Sequence, residues 1–251
     1  MPKTFSIVRH LPNTITCCNL FCGCLSIIVV FNGSPDLAAC FILAASVFDF
    51  FDGFAARWLK SYSPIGKELD SLADMVSFGV APASVMFVLL RDSFAEAGFS
   101  TGLCHTGWFL SLPAYLLAVF SALRLAKFNI DRRQADSFIG VPTPAMALFV
   151  CSIAFTIPQK GVLAEMASNR YVLLAVIVAF SYLMVCELPL FSMKFQSFGW
   201  KTNRLRLIFA IMSVACLILF QWTGLALAIL LYIFLSVIRA YNIKKQSECN
   251  R

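Results

Sequence analysis

Long apolar stretches alternate with short polar ones along the whole chain. Eight of these stretches approach the ~20 residues that a transmembrane helix needs to cross the hydrocarbon core. They cover residues 12–31, 37–59, 69–90, 108–129, 141–157, 171–193, 205–220 and 222–239. The last two are joined by an almost loopless turn near Gln221. The pattern predicts an all-α integral membrane protein whose helices form one polytopic bundle.

The composition also indicates a membrane protein. Hydrophobic residues make up 60% of the chain and the mean hydropathy is +0.81, whereas soluble domains are about 45–50% apolar. The chain has 10 cysteines but no CxxC pair, and only 2 histidines. Most of the cysteines lie inside the apolar stretches, so we interpret them as small apolar residues and not as metal ligands.

The basic residues are distributed unevenly between the two sides of the predicted bundle. The net charge is +7, and only Arg91, Lys160 and Arg170 of the 20 lysines and arginines fall on one side. Because cytosolic loops of membrane proteins are enriched in lysine and arginine, we expect both termini and the loop between the second and third spans on the cytosolic side. The basic residues there are scattered over several loops, which favours anionic lipid headgroups over nucleic acid as partners.

Four aspartates lie at the cytosolic ends of the second and third spans. Residues three and four apart share a helix face, so Asp49 and Asp52 form one stripe and Asp70 and Asp74 form another. The loop between the two helices is short, so the helices are antiparallel neighbours and the stripes can face each other. Ionised carboxylates beside hydrocarbon are costly unless they are compensated. We expect compensation by divalent cations, two Mg²⁺ or Mn²⁺ ions, which prefer oxygen ligands.

Small residues and one cation accompany the aspartates. Gly53 and Ala56 continue the stripe of the second span, and Gly66 begins the stripe of the third. They leave room for an extended ligand beside the backbone, although small residues also serve helix packing. Arg57 adds a permanent planar cation that suits a phosphate group. Together these residues predict a metal-dependent diphosphate site at the boundary between membrane and cytosol.

The segment from Asp49 to Asp74 resembles the signature of the CDP-alcohol phosphotransferases, D-x2-D-G-x2-A-R-x8-G-x3-D-x3-D, at every fixed position. The resemblance implies a homodimeric membrane enzyme with a single transmembrane domain over residues 1–251. It also implies six core helices, at about residues 9–195, to which this chain adds two helices at about residues 204–241.

The resemblance also implies roles for the residues of the motif. An enzyme of this family transfers a group from a CDP-linked molecule to an alcohol and releases CMP. By resemblance, Asp74 is the presumed base that accepts the proton of the alcohol as well as a metal ligand. The implied metal ligands are Asp49, Asp52, Asp70 and Asp74, and the implied lining of the CDP site is Gly53, Ala56, Arg57 and Gly66.

Three further segments concern the alcohol. Residues 11–13, 122–129 and 138–144 resemble those of the membrane-type branch of the family that uses CDP-diacylglycerol and L-serine to make phosphatidylserine. Serine carries a carboxylate, which a guanidinium can pair with in bidentate geometry. We therefore expect Arg124 to contact serine, with Asn129 as a second candidate. Asn13 either reaches the nucleotide or caps the first helix.

The residues leave other functions open. A same-family transferase could use glycerol 3-phosphate or an inositol as the acceptor. A divalent-cation transporter also needs buried carboxylates, but these aspartates cluster at one membrane face and not near the midplane. A structural scaffold has no need for four aspartates. Release of CMP from a CDP-linked lipid distinguishes an enzyme from the last two alternatives.

Overall fold

The computed structural model describes residues 10–61, 63–130, 138–159, 161–190 and 200–249. Almost all of these residues are helical, and two short strands pair with each other. The α-helices are α1 Leu11–Phe31, α2 Pro35–Trp58, α3 Pro64–Asp74, α4 Ala81–Glu96, α5 Thr106–Ser111, α6 Leu116–Ile130, α7 Thr143–Thr156, α8 Val162–Ser168, α9 Arg170–Val185 and α10 Trp200–Cys249. A π-helical turn, Met75–Val80, joins α3 to α4, and the strands are β1 Phe138–Ile139 and β2 Pro189–Leu190.

The all-α polytopic fold expected from the sequence is confirmed. Five helical segments of the described chain are long and apolar enough to cross a membrane, and α8 with α9, bent by 66° at their junction, make a sixth. The five segments are Leu11–Phe31, Pro35–Trp58, Pro64–Glu96, Thr106–Ile130 and Phe209–Ile238. The remaining apolar helix, Thr143–Gln159, is shorter. Each of the eight predicted spans falls on one of these helical segments.

The sixth span was predicted to cover residues 171–193, and its predicted end is wrong. The helix α9 stops at Val185, and β2 follows it. Proline in the interior of a helix removes a backbone hydrogen bond and clashes with the preceding turn, so Pro189 is incompatible with continuing the helix. Residues 191–193 lie outside the described residues.

The helix α10 folds back on itself at Gln221, as the pattern near that residue predicts. Gln221 has φ 49° and ψ −123°, which is not helical. The rings of Phe209 and Tyr232 are 5.6 Å apart, whereas a straight helix would separate them by about 35 Å. The two arms therefore run antiparallel as a hairpin. Its turn packs on the end of α7, where Phe155 stacks on Trp222 with ring centroids 4.3 Å apart.

The core surrounds α4 and the π-helical turn that precedes it. Val85, Met86 and Leu90 of α4 are completely buried. The helix α1 lies close against the π-helical turn, where the Ser77 hydroxyl donates to the Asn19 carbonyl oxygen at 3.1 Å. A Cβ on Gly23 would lie only 2.9 Å from the Ser77 Cα. The small residue therefore permits a close approach that brings α1 to the carboxyl end of α3.

The two strands hold the loop before α7 against the end of α9. Phe138 pairs with Leu190 and Ile139 with Pro189, in antiparallel register. Gly140 follows with φ +73°, and a Cβ there would lie 2.5 Å from the Met184 carbonyl oxygen. Both the backbone angle and the close contact require glycine. The loop therefore enters α7 at a fixed position.

We predict that Gly23→Val lowers the thermal stability of the protein. The larger side chain must displace the Ser77 backbone, and overpacking of this kind costs about 1–3 kcal/mol. The measurement is the midpoint of thermal unfolding in detergent, followed by tryptophan fluorescence. Cys24→Val is the matched control because Cys24 is exposed on the next position of the same helix. Equal midpoints for the two variants would contradict the close packing of α1 on the π-helical turn.

Candidate active site

Three carboxylates converge between the second half of α2 and the second half of α3. One oxygen atom from each of Asp49, Asp70 and Asp74 lies within 4.8 Å of the others. The start of α3 is fixed by Pro64 in its first turn and by Ser63, whose hydroxyl accepts from the Gly66 backbone N–H at 3.0 Å. The helix then presents its two aspartates, four residues apart, on the face toward α2. The structure thus brings together three of the four predicted metal ligands.

No cation lies within ion-pair distance of these carboxylates among the described residues. Among the described residues, an ion pair joins Arg91 to Asp92 at 3.0 Å, and neither residue belongs to the cluster. Several ionised carboxylates at such short distances repel one another strongly in a partly buried environment. Oxygen-only ligands of this kind suit the hard divalent cations Mg²⁺, Mn²⁺ and Ca²⁺. The three aspartates therefore fit a divalent metal ion.

Asp52 lies beside this cluster and not within it. Its side chain is only 5% exposed, and its Oδ2 atom has no hydrogen-bond partner among the described residues. It lines the same cavity as Asp70. A buried carboxylate oxygen without a partner carries a large desolvation cost, so this atom also requires a cation or a donor from a ligand. Its role as a metal ligand stays a prediction.

The structure adds Asn19, which the sequence interpretation missed. Asn19 is completely buried, and its Nδ2 atom donates to Asp74 Oδ1 at 3.4 Å. Its Oδ1 atom has no hydrogen-bond partner among the described residues. The signal was present in the sequence, since Thr16, Asn19, Gly23 and Ser26 recur at spacings of three and four residues along an otherwise apolar helix. Asn19 therefore holds one carboxylate oxygen of Asp74 in place.

A cavity of about 520 Å³ opens beside the aspartates. Gly53 faces open space, because a Cβ there would meet nothing closer than Arg57 Nη2 at 3.9 Å. Arg57 itself is exposed, so its guanidinium is available to a ligand. The five residues predicted to bind the nucleotide all line this cavity: Asn13, Gly53, Ala56, Arg57 and Gly66. The structure therefore brings the predicted CDP site together.

Asn13 lies inside α1 and does not cap it. The helix begins at Leu11, and no side chain caps its first turn. The Oδ1 atom of Asn13 instead lies against Gly66, at 2.9 Å from the position that a Cβ would take. Of the two roles left open by the sequence, the cap is wrong, and contact with a nucleotide stays a prediction.

A second cavity, of about 220 Å³, adjoins the first one along α3. Arg124 lines it and is only 8% exposed, and its Nε atom has no hydrogen-bond partner among the described residues. Asn129 also lines it, but its Nδ2 atom donates to the Ser71 hydroxyl at 3.0 Å. Pro142, which precedes α7, closes one side. A buried guanidinium with an open hydrogen-bonding position suits an anionic ligand.

The two cavities meet at the aspartates. Lys67, Asp70 and Phe128 line both of them, and Asp74 lines the smaller one. A ligand in the larger cavity and a ligand in the smaller cavity therefore approach each other next to the carboxylate cluster. This arrangement suits transfer of a group between two substrates.

Comparison with known proteins identifies the family. A family model described as CDP-alcohol phosphatidyltransferase matches residues 9–190. The chain belongs to this family. The match covers the aspartate cluster and both cavities, and it ends before α10. Membership of this family identifies a membrane transferase and counts against the cation transporter and the scaffold.

Individual members of the family resemble the chain over most of its length. The chain is 30% identical to a protein of Helicobacter pylori (strain J99 / ATCC 700824) over 94% of this chain and 96% of that protein. It is 34% identical to a protein of Bacillus subtilis (strain 168) over 59% of this chain and 77% of that protein. A protein of Saccharomyces cerevisiae is 36% identical over 64% of this chain and 59% of its own length. All three are named CDP-diacylglycerol–serine O-phosphatidyltransferase.

We predict that Asp70→Asn raises the Kd for Mn²⁺ by at least about tenfold, which corresponds to a loss of about 1.4 kcal/mol of binding free energy. The reason is that the variant removes one of three converging carboxylates. The measurement is the amount of free Mn²⁺ in a titration followed by electron paramagnetic resonance, which does not depend on activity. Glu68→Gln is the matched control, because Glu68 is an exposed acid on the same helix that is not part of the cluster. Similar Mn²⁺ affinities for the two variants would contradict the proposed metal site.

Proposed function

We propose that the protein transfers the phosphatidyl group of CDP-diacylglycerol to L-serine, giving phosphatidylserine and CMP. The observation that carries the proposal is the buried side chain of Arg124, whose Nε atom has no hydrogen-bond partner among the described residues, in a cavity that also contains Asp70 and Asp74. The names of the curated relatives support the same acceptor. Inositol has no anionic group, so it does not explain the guanidinium. Glycerol 3-phosphate carries a phosphate that a guanidinium also binds, and the names of the relatives favour serine over it.

The larger cavity receives the nucleotide end of CDP-diacylglycerol. The small residues Gly53, Ala56 and Gly66 leave space beside the backbone of α2 and α3. Arg57 supplies a fixed positive charge for the diphosphate, and Asn13 supplies hydrogen-bonding groups. The lipid therefore binds with its diphosphate next to the aspartates and its glycerol toward the membrane.

The aspartates hold divalent metal ions, which we propose to be two Mg²⁺ or Mn²⁺ ions bound by Asp49, Asp52, Asp70 and Asp74. When bound, such ions neutralise charge on the diphosphate and on the departing CMP. The carboxylates are the protein's contribution to this chemistry. Asn19 keeps the Asp74 carboxylate oriented through its hydrogen bond to Oδ1.

Serine binds in the smaller cavity. Arg124 pairs with its carboxylate, and Asn129 lies close enough to the same cavity to contact its polar groups. This pairing directs the hydroxyl of serine toward Asp74, which accepts its proton. The serine oxygen forms a bond to the phosphorus that carries diacylglycerol. The bond from that phosphorus to the bridging oxygen breaks, and CMP leaves with the electron pair.

We also propose that the active site and both termini face the cytosol and that the protein is a homodimer. The orientation is supported by the distribution of basic residues, and the dimer is supported by the family resemblance. Several of the basic residues lie outside the described residues, namely Lys3, Arg9, Arg132, Arg133, Lys160, Lys194 and Arg251. Both cavities lie at the end of the bundle where α2 leads into α3, which is the side that the distribution of basic residues predicts to be cytosolic.

We predict that purified protein with Mg²⁺ or Mn²⁺ converts CDP-diacylglycerol and labelled serine into labelled phosphatidylserine and an equal amount of CMP. Asp74→Asn is expected to lower the rate by at least about 100-fold, because a positioned base contributes about 10²–10⁴-fold. The measurement follows lipid label and CMP in the same reaction. Release of CMP with glycerol 3-phosphate or inositol, but not with serine, would overturn the proposed acceptor.

We further predict that Arg124→Gln raises the KM for serine by about 10–100-fold, the value of a hydrogen bond to a charged group. The KM for CDP-diacylglycerol is expected to stay unchanged. The variant should also lose the preference for serine over 2-amino-1,3-propanediol, which keeps the amine and hydroxyl but lacks the carboxylate. Lys127→Gln is the matched control because Lys127 is an exposed cation on the same helix. An unaltered preference in Arg124→Gln would contradict the carboxylate contact.

A further inference from the structure

The C-terminal hairpin and α7 enclose an apolar groove of about 420 Å³. Its walls include Ala145 from α7, Leu217 from the first arm of the hairpin, and Leu225, Ala228 and Ile229 from the second arm. Leu217 is 43% exposed, so the groove is open along part of its length. The family model ends at residue 190, which means that the hairpin wall of this groove is outside the family match.

The groove runs from the active-site end of α7 toward the hairpin turn. Pro142 and Phe209 line one end, and Leu217 and Leu225 line the other, close to the turn at Gln221. Eight residues of helix separate Phe209 from Leu217, which corresponds to about 12 Å. One leaflet of hydrocarbon is about 15 Å deep, half of the ~30 Å core. The groove therefore has the direction and the length of a lipid chain in the leaflet next to the active site.

Pro142 connects the groove to the reaction site. This residue lines both the apolar groove and the smaller cavity that contains Arg124 and Asp74. A lipid with its diphosphate in the larger cavity has its phosphorus at the aspartates, where the two cavities meet. From there one chain can extend past Pro142 into the groove, alongside serine in the smaller cavity. An empty space of this size in an apolar interface costs free energy, because the atoms that line it lose dispersion contacts. Hydrocarbon is the filling that its lining favours.

We propose that this groove binds an acyl chain of the CDP-linked lipid. The inference rests on the proposed function for the identity of the head group. In this arrangement the hairpin forms one wall of the lipid-binding site and not merely an additional membrane anchor. The protein then recognises its lipid substrate at both ends, with the carboxylate cluster at the diphosphate and the hairpin along the chain.

The first test is photolabelling of the full-length wild-type protein in detergent. The probe is CDP-diacylglycerol with a diazirine near the end of one acyl chain, and the labelled residues are identified by mass spectrometry. The expected result is labelling of residues 213–229, suppressed by excess unlabelled CDP-diacylglycerol but not by phosphatidylcholine. Labelling confined to other helices would overturn the proposal. Labelling suppressed equally by phosphatidylcholine would also overturn it, since the groove would then hold any bilayer lipid.

The second test narrows the groove with Ala228→Leu. The expected result is a KM for dioleoyl CDP-diacylglycerol raised by at least about fourfold, the factor for one displaced buried methylene. The KM for a short-chain dihexanoyl substrate should stay unchanged. Ala215→Leu is the matched control because Ala215 is an exposed alanine on the first arm of the hairpin. An unchanged dependence on chain length in folded Ala228→Leu would contradict the proposal.

These tests separate the groove from the acceptor. Photolabelling needs no serine, so it reports on the groove even if serine is not the acceptor. Competed labelling of the hairpin together with no transfer to serine would retain the groove and overturn the proposed acceptor. Transfer to serine without labelling of the hairpin would retain the acceptor and overturn the groove.

Discussion

Negative charge at the edge of the hydrocarbon is the constraint on which the rest of this structure depends. Asp49, Asp70 and Asp74 converge within 4.8 Å, and no side chain of the described residues forms an ion pair with them. A fold that places such a cluster beside apolar helices requires external positive charge. Divalent cations supply it, and the diphosphate of a nucleotide-linked lipid then becomes a favourable ligand for the same ions. The chemistry of the site follows from this electrostatic requirement.

The helices around the cluster are arranged so that its geometry is held firmly. The start of α3 is fixed by a proline and a serine cap, and its end passes directly into the π-helical turn. Turns of this kind often occur at functional sites because they change the register of a helix locally. Here the turn packs against α1 through Gly23 and Ser77. That contact brings Asn19 to Asp74, so the close packing of two apolar helices also orients a reacting group.

Much of the site could be predicted from the sequence because its residues lie close together along the chain. Asp49 to Asp74 form one helix, loop and helix, and helical periodicity alone places their side chains on facing stripes. Arg124 was proposed from the resemblance of residues 122–129 and from the match between a guanidinium and a carboxylate, and its contact with serine stays a prediction. Asn19 was missed because a single asparagine in an apolar span has no charge to compensate. Only the packing of α1 against α3 shows that its amide reaches Asp74.

Other parts of the fold depend on contacts that no local pattern contains. The predicted sixth span continued to residue 193 because its residues are apolar, but Pro189 and the strand pair end the helix earlier. The hairpin turn at Gln221 could be placed from the sequence. The groove between the hairpin and α7 could not, because it depends on the angle at which the hairpin packs against Phe155 and Thr156.

The central claim is that the carboxylate cluster binds the diphosphate through divalent ions. The most direct measurement is calorimetric titration of CDP into the purified protein, once with Mg²⁺ and once with a chelator. We expect saturable binding of CDP with Mg²⁺ and no measurable binding with the chelator, because the aspartates alone repel the diphosphate. Equal affinity for CDP under both conditions would contradict it.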